Sequence, residues 1–147
     1  MKRRDFMRLS VVGMGLGAVS VTSQRAVAQG SAGQLLGAGG LFYTQESPGR
    51  WAGKVATHLP SVQIEKAGHG SVVNVTTAHE MNGFEHYIVK HVLLDHNYQF
   101  LDEHLFNPAT DKTASSSFNI KNYAGTLHIV SVCNKHDAWL TSVNIEL

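Results

Sequence analysis

The single cysteine of this 147-residue chain, Cys133, stands three positions before a histidine in Cys133-Asn134-Lys135-His136, and the sequence holds nine histidines in all. A thiolate sulfur and an imidazole nitrogen at this spacing can meet at one metal ion where a strand breaks into a turn. Taken alone, the pattern also describes a buried cysteine acting as a small apolar side chain. Other histidines fall at comparable places. His58 lies in Thr57-His58-Leu59-Pro60, and His79 and His86 bracket Glu80-Met81-Asn82-Gly83-Phe84-Glu85. Imidazole suits iron, copper or zinc, and a thiolate donor narrows the choice toward softer or redox-active ions.

Positioning such residues falls to a set of short strands. Val62-Gln63-Ile64-Glu65 alternates, and Gly68-His69-Gly70 turns it into a second run over 71–77. Further β-branched or alternating runs cover 86–95, 98–106, 115–120, 126–133 and 139–145, separated by Gly, Asn, Asp and Pro. No long stretch after the first 28 residues repeats apolar side chains at helical spacing. Seven short strands in about one hundred residues predict an all-β, immunoglobulin-like sandwich, one domain over 50–147 with a single core. Residues at strand-to-loop transitions of such a scaffold can converge from distant sequence.

The chain before that domain has a different character. Residues 1–28 read as an export signal to be set apart from the fold. Arg3-Arg4 followed by Phe6 and Leu9 looks like a twin-arginine motif, a Gly-rich apolar run follows, and Ala26-Val27-Ala28 offers a small-x-small cleavage site. The expected location is the periplasm, with Gln29 first in the mature chain and no stable membrane insertion. The apolar run is too short and too Gly-rich to span a bilayer. Residues 29–49 read as a flexible leader, in which Leu41-Phe42-Tyr43 can dock on the domain or on a partner. Residues 1–28 carry five basic groups and one acid, so the net +1 of the whole chain becomes −3 for the remainder. No Lys/Arg stripe remains, which argues against a nucleic-acid partner. One unpaired cysteine in an oxidising compartment forms no internal disulfide, so Cys133 is buried, ligated or paired with another chain.

Together, His79-Glu80-Met81 through His86-Tyr87-Ile88, and Cys133-Asn134-Lys135-His136 with Trp139, resemble the iron domain of superoxide reductases, desulfoferrodoxin and neelaredoxin. The resemblance covers about 55–145. It implies a mononuclear non-haem iron (Fe2+/Fe3+) held by four equatorial histidines, His58, His79, His86 and His136, with Cys133 as axial thiolate. It also implies one-electron, inner-sphere reduction of superoxide to hydrogen peroxide, with an external electron donor restoring Fe(II). A homo-oligomer is compatible with it. His69, His91, His96, His104 and His128 match no ligand position.

Three departures from the family pattern stand out. The Glu-Lys that usually precedes the first histidine is Ala56-Thr57 here, leaving Lys54 or Lys135, and Glu80 or Glu85, as candidate substitutes. His79 and His86 are one residue further apart than usual, with Glu80 in place of proline and Gly83 able to absorb the extra residue. Asp137 replaces a glycine after the last histidine, where it can alter the hydrogen bonding around the sulfur. Other functions stay open on the same residues. One is a non-catalytic iron protein of this fold for electron transfer or sensing. Another is a cupredoxin-like copper carrier using His, Cys, His and Met81, although Asp137-Ala138-Trp139-Leu140 supplies no methionine after His136. A sulfur-compound carrier attached at Cys133 is a third, weighed down by the cysteine's place at the end of a buried-looking strand.

Overall fold

The computed structural model describes residues 36–146; the export signal expected over 1–28 and the first part of the leader lie outside them. Seven strands follow in order: β1 (Pro60–Ala67), β2 (Gly70–Thr77), β3 (Ile88–Leu94), β4 (Phe100–Leu105), β5 (Ala114–Lys121), β6 (Gly125–Cys133) and β7 (Asp137–Ile145). They form two antiparallel sheets, β1-β2-β5 and β4-β3-β6-β7, the sandwich that the seven alternating runs predict. Two strands start later than the sequence suggests. His86 and Tyr87 precede β3 because His86 is bridged to Asn82 instead. Tyr98 has a positive φ of 61° and belongs to a turn in which Asp95 accepts from the Asn97 and Gln99 amides.

Alternation puts every second side chain on the inner face. Val73, Val75, Leu93, Phe118, Leu127, Ile129 and Ile145 meet between the sheets as the main core. Burial of each such side chain stabilises the fold by about 1.5–3 kcal/mol. Along β6 the same face continues through Ser131 to Cys133, the last inward residue. There the sulfur joins a second apolar cluster of Ile88, Phe106 and Ala114, with Met81 against it.

One polar group sits inside this interface. His91 of β3 is fully buried, and its ring links both sheets. The Thr77 hydroxyl donates to Ser131 Oγ (2.9 Å) and so accepts from His91 Nε2 (2.9 Å). Nδ1 is left to accept from the Ser116 hydroxyl (2.7 Å). Burial pushes the His91 pKa down from 6.5 to about 4, with His104 adding to the effect. The ring is therefore neutral at pH 7 and its hydrogen bonds are satisfied.

A short helical segment precedes the first strand: a 3-10 stretch, Gly49–Lys54, then one α-helical turn, α1 (Val55–His58). Leu59 ends it in extended conformation (ψ 127°), as the residue before Pro60 must. The leader reaches the domain through Tyr43. Its amide donates to Ala138 O (2.9 Å), its carbonyl accepts from Leu140 N (2.8 Å), and its ring packs on Trp139 at 5.4 Å. Gly49 (φ 49°) closes this arrangement, since a Cβ there would overlap the Gly39 carbonyl and press on the Tyr43 ring.

Candidate metal centre

Antiparallel pairing decides where the candidate donors go. Pro60 pairs with Thr77, Ile88 with Cys133, and Cys133 with Asp137. The starts of β1, β3 and β7 and the ends of β2 and β6 thus share one end of the sandwich. His58 stands just before β1, His79 just after β2, His86 just before β3, Cys133 at the end of β6, and His136 just before β7. The structure gathers all five: one donor atom from each lies within 4.8 Å of every other.

The four nitrogens follow one another closely: His58 Nε2 to His136 Nδ1 (3.0 Å), His136 Nδ1 to His86 Nε2 (3.1 Å) and His86 Nε2 to His79 Nε2 (3.0 Å). Nitrogens at that spacing could all reach one ion bound among them. Cys133 Sγ sits 3.7 Å from both His79 Nε2 and His136 Nδ1.

Hydrogen bonds behind the donors test whether a cation fits. His58 Nδ1 lies 3.1 Å from Lys54 O, and His79 Nδ1 contacts Glu80 O. A carbonyl only accepts, so both Nδ1 atoms carry the proton and both Nε2 atoms present bare lone pairs. Each bare Nε2 is then free to ligate a cation or to accept from the neighbouring ring, His136 for His58 (3.0 Å) and His86 for His79 (3.0 Å). Burial pushes His58 down from 6.5 to about 4 and also lowers His79 and His136. Neighbouring rings add to each shift, and at His136 so do Lys54 and Lys135. These shifts favour the neutral form of His58, His79 and His136, the state in which imidazole ligates metal. Four imidazole nitrogens and a sulfur on an apolar wall fit a redox-active transition ion.

The loops that carry these donors are tied to one another. Asn134 N donates to Tyr87 O (3.2 Å), its Oδ1 accepts from Tyr87 N (3.1 Å), and its Nδ2 donates to Glu85 O (3.1 Å). The β6–β7 turn therefore fixes the loop bearing His86. Gly83, at φ 52°, makes the turn that lets Asn82 and His86 pair, which absorbs the longer spacing. Lys135 N approaches Cys133 Sγ at 3.5 Å, the one backbone amide on the sulfur among the described residues. Asp137 does not contact the sulfur: its carboxylate accepts from Arg50 Nη2 (2.6 Å) and Trp51 Nε1 (2.8 Å). Of the candidate charges, Glu80 Oε1 lies 3.9 Å from His86 Nδ1 and Lys135 pairs loosely with Glu85 at 3.9 Å.

The other histidines stand apart from the cluster. His91 bridges the sheets, His128 bonds Ser142 (2.7 Å) and stacks on Tyr98, and His104 packs on Phe106. Sequence reasoning gave no structural role to Asn134, Arg50 or Trp51. Only Asn134 carried a signal, being inside the Cys-to-His motif.

An antiparallel sandwich gathering four imidazoles and one cysteine sulfur at one end defines a candidate metal-binding domain. The sequence profile of the desulfoferrodoxin family matches residues 50–142, and the chain belongs to that family. The family binds mononuclear non-haem iron, and the cluster is fit for a metal ion. Among solved structures, superoxide reductase (neelaredoxin) from Ignicoccus hospitalis is similar at 25% identity and a TM-score of 0.60. That match covers 72% of this chain and 94% of the other. A point variant of the same protein gives 26% identity, a TM-score of 0.60 and the same coverage. Superoxide reductase from Nanoarchaeum equitans shares the fold, at 20% identity, a TM-score of 0.52, and coverage of 61% and 94%. Comparison with curated proteins gave no match.

Proposed function

We propose that this chain is a superoxide reductase-like oxidoreductase, reducing superoxide to hydrogen peroxide by one electron and re-reduced by an external donor. The observation that carries the proposal is the donor set, four imidazole nitrogens and the Cys133 sulfur all within 4.8 Å of one another. Bound ferrous iron would supply the electron and an open coordination position. The residues supply the rest. His58, His79, His86 and His136 would hold a ferrous ion as neutral ligands, and Cys133 bound as thiolate would leave a centre of net +1 able to attract a small anion. Ile88, Phe106, Ala114 and Met81 keep the sulfur in apolar surroundings. Lys54, which makes no ion pair among the described residues, lies close enough to lower the His136 pKa and extends the positive field.

Stopped-flow mixing of the ferrous protein with superoxide tests this. The expected result is oxidation near the diffusion limit, slowed by added salt and by Lys54→Met. Oxidation no faster than a slow outer-sphere reaction would favour a non-catalytic electron-transfer or sensing role. One observation supports that second function: Ala56 and Thr57 offer neither carboxylate nor ammonium, and Thr57 Oγ1 is engaged by Lys54 O (3.2 Å) and His58 Nδ1 (2.8 Å). Export to the periplasm by the twin-arginine route belongs to the same proposal, supported by Arg3-Arg4 and Ala26-Val27-Ala28. Protein recovered from the periplasm should begin at Gln29, and export unaffected by changing both arginines to lysine would overturn the route.

A further inference from the structure

Three of the four imidazoles in the cluster have a neighbour for their second ring nitrogen: Lys54 O for His58, Glu80 O for His79, and the Glu80 carboxylate, more distantly, for His86. His136 has none among the described residues; every hydrogen-bond contact of its ring is made by Nδ1, the atom facing the other donors. Something else must hold that ring, because a ligand left free to rotate about its side-chain bonds loses entropy on binding.

What touches it is Trp51, whose ring meets the His136 ring edge-on with centroids 4.7 Å apart and planes at 82°. Trp51 is itself fixed at its indole nitrogen by Asp137 Oδ2 (2.8 Å), the residue directly after His136. Arg50 completes the group. Its Nη2 donates to the same carboxylate oxygen (2.6 Å), its Nε to Tyr43 Oη (3.1 Å), and its guanidinium lies 4.9 Å from the Trp51 ring centre. From the other side, His136 O accepts from Trp139 Nε1 (2.9 Å). Asp137 occupies its place at a cost, since its φ of 63° is a conformation that glycine adopts freely and Asp tolerates.

We propose that Asp137, Trp51 and Arg50 form a clasp that fixes the His136 imidazole for metal binding, with Asp137 a positioning residue acting through Trp51. The clasp replaces, by ring contact, the second-nitrogen hydrogen bond that His136 lacks. It rests on the assignment of His136 as a metal ligand.

The test is the rate at which full-length protein, loaded with Fe(II) under anaerobic conditions, gives up its metal to excess chelator. Asp137→Gly is the informative variant because it separates backbone from side chain. The clasp requires metal loss faster by roughly 10- to 100-fold, the usual effect of removing a residue that orients a ligand. A backbone-only role requires loss at the wild-type rate or slower, since glycine is at ease at this φ. Asp137→Asn, which keeps an acceptor for Trp51 and the same backbone tolerance, should fall between Asp137→Gly and wild type. Trp51→Phe should speed release on its own, and Trp51→Phe combined with Asp137→Gly should release no faster than Asp137→Gly alone. The spin-resonance spectrum of the ferric form should broaden in the same order, a change that mere loss of global stability does not produce. Wild-type release rates in Asp137→Gly and Asp137→Asn would overturn the clasp and leave the metal centre standing. A wild-type protein that binds no iron would overturn both.

Discussion

At the residue scale, the ligand assignments separate by their contacts. Cys133→Ser removes the sulfur donor, so the oxidised protein should lose its thiolate-to-iron charge-transfer colour; a band that persists would remove Cys133 from the centre. His58→Ala and His136→Ala should each lower iron occupancy at least tenfold under limiting metal. His104→Ala, whose ring packs on Phe106 away from the cluster, should not. His91 carries a different prediction, about stability. Its folded pKa of about 4 lies below the ordinary 6.5, so the fold holds the ring neutral while the unfolded chain takes up a proton. The stabilisation is complete above pH 6.5 and is lost as pH falls from 6.5 to 4, by about 3 kcal/mol in all. Urea unfolding of metal-free protein at pH 7 and pH 4.5 should show a smaller acid loss in His91→Gln by about 2–3 kcal/mol. Equal losses would mean that His91 titrates normally in the fold.

At the element scale, most of the seven strands were legible from β-branched or alternating runs, and Gly, Asn, Asp and Pro mark the turns; β4 has no β-branched residue and no alternating burial. The five donors were legible too, because histidines at strand ends and a cysteine on the inner-face period of β6 are local patterns. The helical segment over 49–58 was not. Ten residues in mixed 3-10 and α geometry show no apolar period, and none of Gly49–Lys54 is buried. Its role is set by partners far along the chain, Trp51 and Asp137 being 86 residues apart. Nor did sequence show what Asn134 does, since its bonds join two loops 47–50 residues distant. Asn134→Ala should cost about 0.5–1.5 kcal/mol by removing its hydrogen bonds to the Tyr87 and Glu85 backbone. Iron occupancy should fall with it because the His86 loop loses its anchor. Unchanged melting and occupancy would reduce Asn134 to a surface residue of the turn.

At the scale of the whole molecule, His58 and His79 flank strands of the β1-β2-β5 sheet, whereas His86, Cys133 and His136 belong to the β4-β3-β6-β7 sheet. An ion held by all five would bolt one layer of the sandwich to the other. With only one cysteine the chain has no disulfide to make such a crosslink, and the residues closing that end are loops and a ligand turn. Metal that binds the folded form alone adds about 4 kcal/mol at a thousandfold excess over its dissociation constant. For a domain of about one hundred residues that corresponds to a melting point higher by roughly 15–30 °C. The rivet also sets an order of failure. Stripping the metal should first let the donor-bearing end fray while the Val73–Phe118–Ile129 interior stays shut, so amide exchange would accelerate at 79–87 and 133–137 before it does in the middle of β2 and β6.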